Sequence, residues 1–478
     1  MAASYPNVQL LIGGAFSSRP GADIINPSSG EVFAQVPFAT RDDLAAAVEA
    51  ARAGFAEWSE TSPADREAVM QRAAALLRER ADGIATAITQ EQGKPLSQAR
   101  AEILRASEII DWDAAEGRRV YGRIIPSKHP MRHSVLRQPI GPVAALSPWN
   151  FPISSPARKV AGALAAGCSI VLKASEETPA GAFELVRAFH DAGCPPGVVN
   201  LVFGVPSEVS EYLIAADAIR LITFTGSIPV GKSLAALAAQ QMKPTIMELG
   251  GHAPVIVDRG VDAMQVAATC VAGKSRNAGQ VCVSPTRFLV HDETYDAFLN
   301  SFAGHAKALK TGDGFAPDTV MGPLANDRRL KAMTELTEDA LAKGAKLSAG
   351  GRRISNQGYY HELTVLSDVP DNARAANEEP FGPLAIVNRV GSIEEAIDVA
   401  NRLPYGLAAY GFTNSSATAE ALAHGVQAGN LSINHLTASF AETPFGGVKE
   451  SGYGREGGTE GLEGYTVVKN VSHLMRDV

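Results

Sequence analysis

The stretch Val143-Ala144-Ala145-Leu146-Ser147-Pro148-Trp149-Asn150 joins an apolar run to a polar turn, and this pattern decides the fold class. Apolar runs of this kind recur along the chain, and segments with helical periodicity separate them. Alternating strands and helices are typical of a parallel sheet covered by helices, so we predict an α/β protein. The next predicted strands cover residues 169–172, 198–203, 221–224 and 245–247, and the intervening helices cover residues 154–166, 179–192, 207–216 and 229–239.

The predicted strands end in polar or glycine-rich residues, and this is where ligands bind in parallel sheets. Gly226-Ser227 follows one strand and opens a helix whose backbone amides suit a pyrophosphate. Because the turn lacks the G-x-G-x-x-G fingerprint, an ordinary strand-to-helix turn is the alternative interpretation. Lys173 and Glu176 follow another strand and offer an ammonium group and a carboxylate to a ribose diol, although solvated surface charge would also explain them.

A possible nucleophile ends the stretch Ser275-Arg276-Asn277-Ala278-Gly279-Gln280-Val281-Cys282, directly after a glycine turn. An acid, Glu248, stands earlier in a tight turn of its own, and a thiol with a carboxylic acid suffices for two-step acyl chemistry. Asn150 and the backbone N–H of Cys282 would supply the two halves of an oxyanion hole. The alternative is a buried cysteine that packs as a small hydrophobe.

Composition excludes several other classes of protein. The 478 residues carry a net charge of −8, so nothing favours nucleic acid or an anionic membrane. The four cysteines form no Cys-x-x-Cys pair and have no histidine cluster beside them, so we predict no metal site. Few cysteines in a long chain suggest a reduced, cytoplasmic protein, and we find neither a signal peptide nor a membrane span.

The remaining regions extend the α/β prediction in both directions. Residues 8–38 read as short strands, residues 40–119 as helices and residues 254–431 as a second α/β unit. Between the helical region and the first predicted strand of the α/β region, His133 to Gln138 is predicted to form a strand-like arm for contact between subunits.

Several short motifs occur together and in one order, and through them the chain resembles the aldehyde dehydrogenase superfamily over nearly its whole length. The motifs are Pro148-Trp149-Asn150-Phe151-Pro152, Lys173-Ala174-Ser175-Glu176, Phe224-Thr225-Gly226-Ser227, Glu248-Leu249-Gly250-Gly251, Gly279-Gln280-Val281-Cys282, Glu378-Glu379-Pro380-Phe381-Gly382-Pro383 and Pro444-Phe445-Gly446-Gly447. Because chance rarely produces so many matches in register, the interpretation of Cys282 as a mere core residue loses most of its weight.

The resemblance implies the chemical roles. Cys282 would attack an aldehyde, Asn150 and the Cys282 amide would hold the oxyanion, and Glu248 would activate water for hydrolysis of the thioester. Helix starts, backbone amides and the cofactor's positive ring would favour the Cys282 thiolate. The residues implied to bind the cofactor are Ser147, Pro148, Trp149, Lys173, Ser175, Glu176, Gly204, Phe224, Gly226, Ser227, Val230, Leu249, Glu379 and Phe381.

The resemblance also implies the cofactor and the architecture. NAD is expected to be preferred because Glu176 would repel a 2′-phosphate, while Lys173 and Ser175 leave NADP possible. Residues 1–118 and 138–249 would form a Rossmann-like cofactor domain, and residues 250–448 a catalytic domain. Residues 119–137 and 449–478 would form a small oligomerisation sheet, so a homodimer or homotetramer is expected.

Within the superfamily the chain is similar to the succinate-semialdehyde dehydrogenases. Arg158 and Arg276 match positions where that family holds the substrate's distal carboxylate, and Ser439 lies near a third. The expected substrate is therefore a short acid semialdehyde, succinate semialdehyde first. Small residues before Arg158 leave an uncharged or aromatic aldehyde as an alternative. Two alternative functions are a non-catalytic structural member of the family and an acylating relative that uses coenzyme A.

Overall fold

Two large sheets and two small ones form the framework of the computed structural model, which describes residues 5–476. In chain order the strands are β1 (Leu10–Ile12), β2 (Ala15–Ser17), β3 (Gly21–Asn26), β4 (Glu31–Pro37), β5 (Arg123–Ile125), β6 (Met131–Pro139), β7 (Val143–Leu146), β8 (Ile170–Lys173), β9 (Val199–Val202), β10 (Leu221–Thr225), β11 (Thr245–Glu248), β12 (Pro254–Val257), β13 (Arg287–His291), β14 (Lys346–Ala349), β15 (Thr364–Ser367), β16 (Leu384–Val390), β17 (Ala408–Phe412), β18 (Asn430–Ile433), β19 (Gly452–Tyr453) and β20 (Thr466–Leu474).

Helices cover these sheets and connect their strands. They are α1 (Arg41–Trp58), α2 (Pro63–Glu79), α3 (Ala81–Gln92), α4 (Leu96–Glu116), α5 (Ser154–Ala166), α6 (Pro179–Asp191), α7 (Pro206–Ala215), α8 (Ile228–Gln240), α9 (Ala263–Ser275), α10 (Asp292–Ala308), α11 (Asp327–Ala342), α12 (Arg374–Asn377), α13 (Ile393–Asn401) and α14 (Ser416–Gly425). The prediction of an α/β fold is confirmed, and the predicted strands and helices of residues 143–248 agree with the structure to within one or two residues.

The first sheet has eight strands in the order β19-β11-β10-β7-β8-β9-β1-β2. Strands β7 to β11 are parallel, and β7 lies between β8 and β10. The chain therefore adds β8 and β9 on one side of β7 and then adds β10 and β11 on the other side. Such a switch point opens a crevice at the carboxyl ends of the two central strands. Here the crevice lies where β7 and β10 end, at Ser147–Asn150 and at Gly226–Ser227.

The edges of this sheet differ from the purely parallel sheet that we predicted. β1 and β2 form an antiparallel hairpin that pairs with β9, and β19 runs antiparallel to β11. The tight turn at Gly13-Gly14 allows only an antiparallel return, because a parallel one needs a long crossover. β19 belongs to the segment 449–478 that we predicted to form the oligomerisation sheet, so part of that segment instead closes an edge of the first sheet.

The second large sheet has seven strands in the order β14-β15-β16-β13-β12-β17-β18, and only its β14 edge is antiparallel. β5, β6 and β20 form a separate antiparallel sheet, which contains the predicted arm. β20 pairs with β6 along its whole length. The division of the chain into three functional domains stays a prediction.

A break between α3 and α4 directs a lysine side chain into the interior of the protein. α3 ends at Gln92, and Gly93 continues at φ +83°, a backbone conformation that favours glycine. Pro95 then precedes α4, so the chain turns sharply and directs Lys94 inward, where its side chain is 1% exposed. Among residues 5–476, no helix is both long enough and apolar enough to cross a membrane.

Candidate active site

A cleft of about 860 Å³ lies at the switch point of the first sheet and extends to the edge of the second. It contains the three predicted catalytic residues Cys282, Glu248 and Asn150 and the three predicted substrate residues Arg158, Arg276 and Ser439. The predicted cofactor residues on its wall are Pro148, Trp149, Gly226, Ser227, Leu249, Glu379 and Phe381. Residues that are far apart in sequence thus converge on one site.

The other predicted cofactor residues lie outside the lining of this cleft. They are Ser147, Lys173, Ser175, Glu176, Gly204, Phe224 and Val230. All but two of them stand in or just after the last residue of β7, β8 or β9, so they follow the carboxyl edge of the sheet away from the cleft. The exceptions are Phe224, near the end of β10, and Val230, in the first turn of α8.

The turn before Cys282 has a strained backbone. Asn277, Ala278 and Gly279 follow α9 with φ of 49°, 53° and 70°, all in the left-handed region. At Gly279 a Cβ would also collide with the carbonyl oxygen of Gly382, which explains why glycine stands there. Residues other than glycine rarely adopt this conformation, and such strain is most often found where a side chain must be aimed at a ligand.

Hydrogen bonds hold Asn150 against this turn. Its side-chain Nδ2 donates to the carbonyl oxygen of Gln280 at 3.0 Å, which uses one of its two N–H groups. Its own carbonyl oxygen accepts from Asn277 Nδ2 at 3.0 Å and from Lys94 Nζ at 2.8 Å. The second N–H of the Asn150 amide therefore stays available to an oxyanion in the cleft, as the predicted role requires.

An ion pair that the sequence analysis missed lies beneath Asn150. Lys94 Nζ and Glu102 Oε2 are 2.6 Å apart, and both side chains are almost fully buried. The second oxygen of Glu102 accepts the backbone N–H groups of Ile153 and Ser154, where α5 begins. The only sequence signal was a charged pair flanking a helix break, and surface charges commonly give the same signal.

The surroundings of Cys282 stabilise its thiol rather than its thiolate. Burial raises the pKa of Cys282 to about 12, and the carboxylates of Glu379 and Glu248 add to this shift. The backbone N–H groups of Cys282 and Val283 act in the opposite direction but are outweighed. Desolvation therefore exceeds the effect of the amides that we expected to favour the thiolate, while the contribution of the cofactor's positive ring stays a prediction.

Glu248 is a buried carboxyl group without a hydrogen-bond partner on either oxygen among the described residues. Its burial raises its pKa well above the usual range, and the nearby carboxylate of Glu456 raises it further. Lys159 and Arg158 partly offset this shift. Glu248 ends β11 and pairs with Thr225 across the sheet, so it lies in a strand and not in a turn as we expected. An unpartnered carboxyl group in a cleft can bind a water or take up a proton.

The strand ends fit a dinucleotide. Ser227 precedes α8 and its side chain makes no capping hydrogen bond there, so the hydroxyl and the first amides of the helix are open to a phosphate. Lys173 Nζ and Glu176 Oε2 are 2.7 Å apart at the carboxyl end of β8. Trp149 and Phe381 pack edge to face with centroids 5.5 Å apart, which forms an aromatic wall of the cleft.

Glu379 connects the second sheet with the glycine turn after Glu248. Its Oε1 accepts the backbone N–H of Gly251 at 3.2 Å, and burial raises its pKa to about 7. A Cβ at Gly250 would strike the carboxylate of Glu379, so the absence of a side chain there lets the acid approach. This position suits a carboxylate that accepts hydrogen bonds from a ribose.

Arginine side chains supply the positive charge of the cleft. Arg158 donates through Nη2 to the hydroxyl of Ser439, while its buried Nη1 has no partner among the described residues. Arg276 lies 5.4 Å from the ring centroid of Phe151 and is exposed. Three further arginines line the cleft, Arg105, Arg328 and Arg329, and Arg105 was missed because its position on α4 carries no motif.

The other three cysteines, Cys168, Cys194 and Cys270, are free thiols that do not line the cleft. Burial raises the pKa of Cys168 to about 11. Within residues 5–476 we find no group of three or more His, Cys, Asp or Glu side chains that could hold a metal ion.

The fold and the site define an oxidising enzyme of the aldehyde dehydrogenase type, and comparison with known proteins agrees. The model of the aldehyde dehydrogenase family matches residues 16–471, and the chain belongs to this family. The predicted superfamily and its aldehyde-oxidising activity are thereby confirmed.

Three similar proteins show the range of the family near this chain. The 4-(hydroxymethyl)benzenesulfonate dehydrogenase of Comamonas testosteroni is 46% identical over 98% of this chain and 99% of its own. The succinate-semialdehyde dehydrogenase of Burkholderia pseudomallei has a crystal structure that is 39% identical, with a TM-score of 0.95 over 98% of both chains. A betaine aldehyde dehydrogenase double mutant from Staphylococcus aureus in complex with NAD+ is 32% identical, with a TM-score of 0.94 over 98% of this chain and 96% of its own.

The two residues proposed for acyl chemistry predict different defects. Cys282→Ala removes the nucleophile, so aldehyde-dependent formation of reduced cofactor should fall by at least about 10³-fold. Glu248→Gln leaves the nucleophile but removes the base, so a rapid burst of about one reduced cofactor per site should precede turnover slowed by about 10²-fold. Stopped-flow absorbance of the reduced cofactor distinguishes the two. Steady-state activity of Cys282→Ala near that of the wild type would contradict the assignment of the nucleophile.

Proposed function

We propose that this aldehyde dehydrogenase uses NAD(P)+ and forms a covalent acyl intermediate on Cys282. The observation that carries the proposal is the placement of a thiol, an unpartnered buried carboxyl group and a free amide donor, Cys282, Glu248 and Asn150, around one cleft. This set matches the needs of thioester formation and hydrolysis.

The reaction follows from these groups. The sulfur of Cys282 attacks the carbonyl carbon, its proton passes to a base, and the oxyanion of the thiohemiacetal accepts N–H groups from Asn150 and the Cys282 backbone. The bound nicotinamide would supply the acceptor for the hydride that leaves this carbon. Glu248, once deprotonated, takes a proton from water, which attacks the resulting thioester and releases the acid and the thiol.

Glu248 also favours hydrolysis over transfer to coenzyme A. Since both of its oxygens are free of protein partners, it can hold a water next to the thioester. An acylating enzyme would need to keep water out of this place. A non-catalytic role would leave no reason for an unpartnered buried acid beside a strained cysteine turn.

NAD is the preferred cofactor in our proposal, with NADP as the alternative. The carboxylate of Glu176 is paired with Lys173 and only about a quarter exposed, so it is held near the end of β8. There it can accept a hydrogen bond from a ribose hydroxyl, and it would repel a 2′-phosphate. Lys173 and Ser175 would accommodate that phosphate only if Glu176 moved away.

This assignment predicts a cofactor preference. The kcat/KM with NAD should exceed that with NADP by at least about tenfold, because like charges held together cost several kcal/mol. Glu176→Gln should reduce the ratio by keeping the shape while removing the charge. The measurement is steady-state kinetics with both cofactors at one aldehyde concentration, and a higher kcat/KM with NADP for the wild type refutes the preference.

For the substrate we propose an aldehyde with a distal anion, with succinate semialdehyde as the first candidate. Arg158 and Arg276 line the same cleft as Cys282, and Ser439 adds a hydroxyl beside Arg158. Buried donors without partners are costly, so the free Nη1 of Arg158 favours a ligand that accepts from it. Guanidinium groups bind carboxylates through paired N–H donors.

A sulfonated aromatic aldehyde is the second candidate. The relative of Comamonas testosteroni is named for a benzenesulfonate, and it shares more of this sequence than the succinate-semialdehyde dehydrogenase of known structure. The cleft also offers aromatic surface next to its arginines, at Phe151 and Phe445. A ring could pack there while its sulfonate meets the guanidinium groups.

A homodimer or homotetramer is our proposal for the assembly, with the cytoplasm as its location. The sheet of β5, β6 and β20 leaves apolar side chains exposed, such as Ile124 and Val468 at more than 60%. Its outer strands are open edges, and pairing with another subunit would cover them.

The role of Arg276 predicts a selective loss. Arg276→Ala should raise KM for succinate semialdehyde about tenfold or more, since charged hydrogen bonds contribute about 1.5–3 kcal/mol. KM for butanal, which lacks the carboxylate, should change by less than about twofold on the same argument. Initial-rate kinetics with both aldehydes provide the test.

Arg259→Ala is the matched control, because Arg259 is an exposed arginine in the turn after β12 that does not line the cleft. Equal losses for the two aldehydes in Arg276→Ala, or a wild-type preference for butanal, would show that the anion site is wrong. The assignment to aldehyde dehydrogenases would survive either result.

A further inference from the structure

Arg105 lies on the inner face of α4 and reaches the loop that carries Ser439. Its Nη2 donates to the carbonyl oxygen of Ser439, while Arg158 donates to the hydroxyl of the same residue. Ser439 is therefore held between two guanidinium groups that come from different helices. Both arginines and Ser439 line the cleft that contains Cys282.

These two arginines bring more positive charge than their neighbours balance. Arg105 forms an ion pair with Glu108 at 3.3 Å, but Glu108 is 57% exposed, so the pair is weak. Arg158 has no carboxylate within ion-pair distance among the described residues, and its pKa is lowered by burial. The acids that face it from further away are Glu456, Asp113 and Glu248.

The protonation of those acids increases the imbalance. Burial raises the pKa of Asp113 to about 8, and Glu248 is shifted in the same direction. Near neutral pH Asp113 is therefore largely neutral, and burial disfavours the ionised form of Glu248 in the same way. Of the three, Glu456 is committed to Lys159, whose Nζ is 2.6 Å from its Oε1. A ligand with a negative charge would restore the balance at Arg105 and Arg158.

Aromatic rings fix the orientation of both guanidinium groups. Arg105 lies 5.9 Å from the ring centroid of Phe440, and Arg158 lies 5.3 Å from that of Phe445. A guanidinium group that rests against a ring keeps its N–H edges for other acceptors. At Arg158 one such donor, Nη1, is buried and has no partner.

We propose that Arg105 is a specificity-determining residue, which joins Arg158 through Ser439 to form a seat for the substrate's distal oxyanion. The ligand chemistry is a singly charged group with two or three oxygens, carried by a carboxylate or a sulfonate. The seat rests on the proposed function, since it places this anion in the same cleft as the aldehyde that Cys282 attacks. Arg276 then acts as a separate cation on the side of the cysteine turn.

Three aldehydes with one ring test the proposal: 4-carboxybenzaldehyde, 4-formylbenzenesulfonate and benzaldehyde. Arg105→Met keeps much of the length of the side chain but removes its charge and donors. KM for at least one of the two anionic aldehydes should rise about tenfold, because a charged hydrogen bond is lost. KM for benzaldehyde and kcat for all three should change far less. Whichever anion shows the larger effect identifies the group that the seat prefers.

Two further variants separate binding from a structural role. Arg105→Lys keeps the charge and should recover part of the loss for the anionic aldehydes. Arg100→Met is the control, since Arg100 is an exposed residue of the same helix that pairs with Asp82 outside the cleft. If Arg105→Met raises KM for benzaldehyde as much as for the anions, Arg105 only supports the Ser439 loop and the proposal is overturned.

A binding measurement tests the anion seat independently of the proposed function. Isothermal titration calorimetry with benzenesulfonate and with benzoate needs no turnover and no reactive thiol. If either anion binds more weakly to Arg105→Met than to the wild type and to Arg100→Met, the anion seat is supported even if the proposed substrate is wrong. Unchanged binding of both anions overturns it, whereas absence of Cys282-dependent oxidation of all three aldehydes would overturn the proposed function.

Discussion

The buried ion pair between Lys94 and Glu102 is the interaction on which the geometry of the site depends. Removing two charges from water costs several kcal/mol for each ion, and only complete hydrogen bonding offsets this cost. Lys94 meets that need with the carbonyl oxygen of Asn150, and Glu102 meets it with two amides at the start of α5. The pair therefore joins α4, the end of β7 and the helix of Arg158 into one rigid support.

A second constraint is the low polarity of the same region. It raises the pKa values of Cys282 and Glu248 together, so burial favours the neutral form of both the nucleophile and the acid in the same cleft. Two negative groups within one cleft would repel each other, and burial makes that repulsion stronger. Chemistry at Cys282 thus requires that its proton be removed as the sulfur attacks, and Glu248 must lose its own proton before it can activate water. The unbalanced arginines of the cleft serve binding instead, where a fixed positive charge is an advantage.

The sequence predicted most of the first sheet because its strands are apolar runs with polar ends, as in Val143 to Asn150. It also predicted Cys282, Glu248 and Asn150, since each belongs to a recognisable sequence motif, although Glu248 proved to end a strand instead of lying in a turn. It did not predict Lys94 with Glu102 or Arg105, because these residues lie on helices where charged residues normally face solvent. The expected effect of local amides on the Cys282 thiol was outweighed for a related reason. Local amides are visible in a sequence, but the burial that raises the pKa of Cys282 arises only from the packing of distant segments. The antiparallel strand β19 comes from the far end of the chain, and no local pattern indicates its partner.

The central claim is that oxidation passes through an acyl group on Cys282, and intact-protein mass spectrometry tests it most directly. Glu248→Gln, mixed with benzaldehyde and NAD+ and quenched in acid, should gain the mass of one benzoyl group, and peptide mapping should locate that group on Cys282. The double variant Cys282→Ala with Glu248→Gln should gain none. Reduced cofactor formed by Glu248→Gln without an acylated protein, or an acyl group on another residue, would contradict the account.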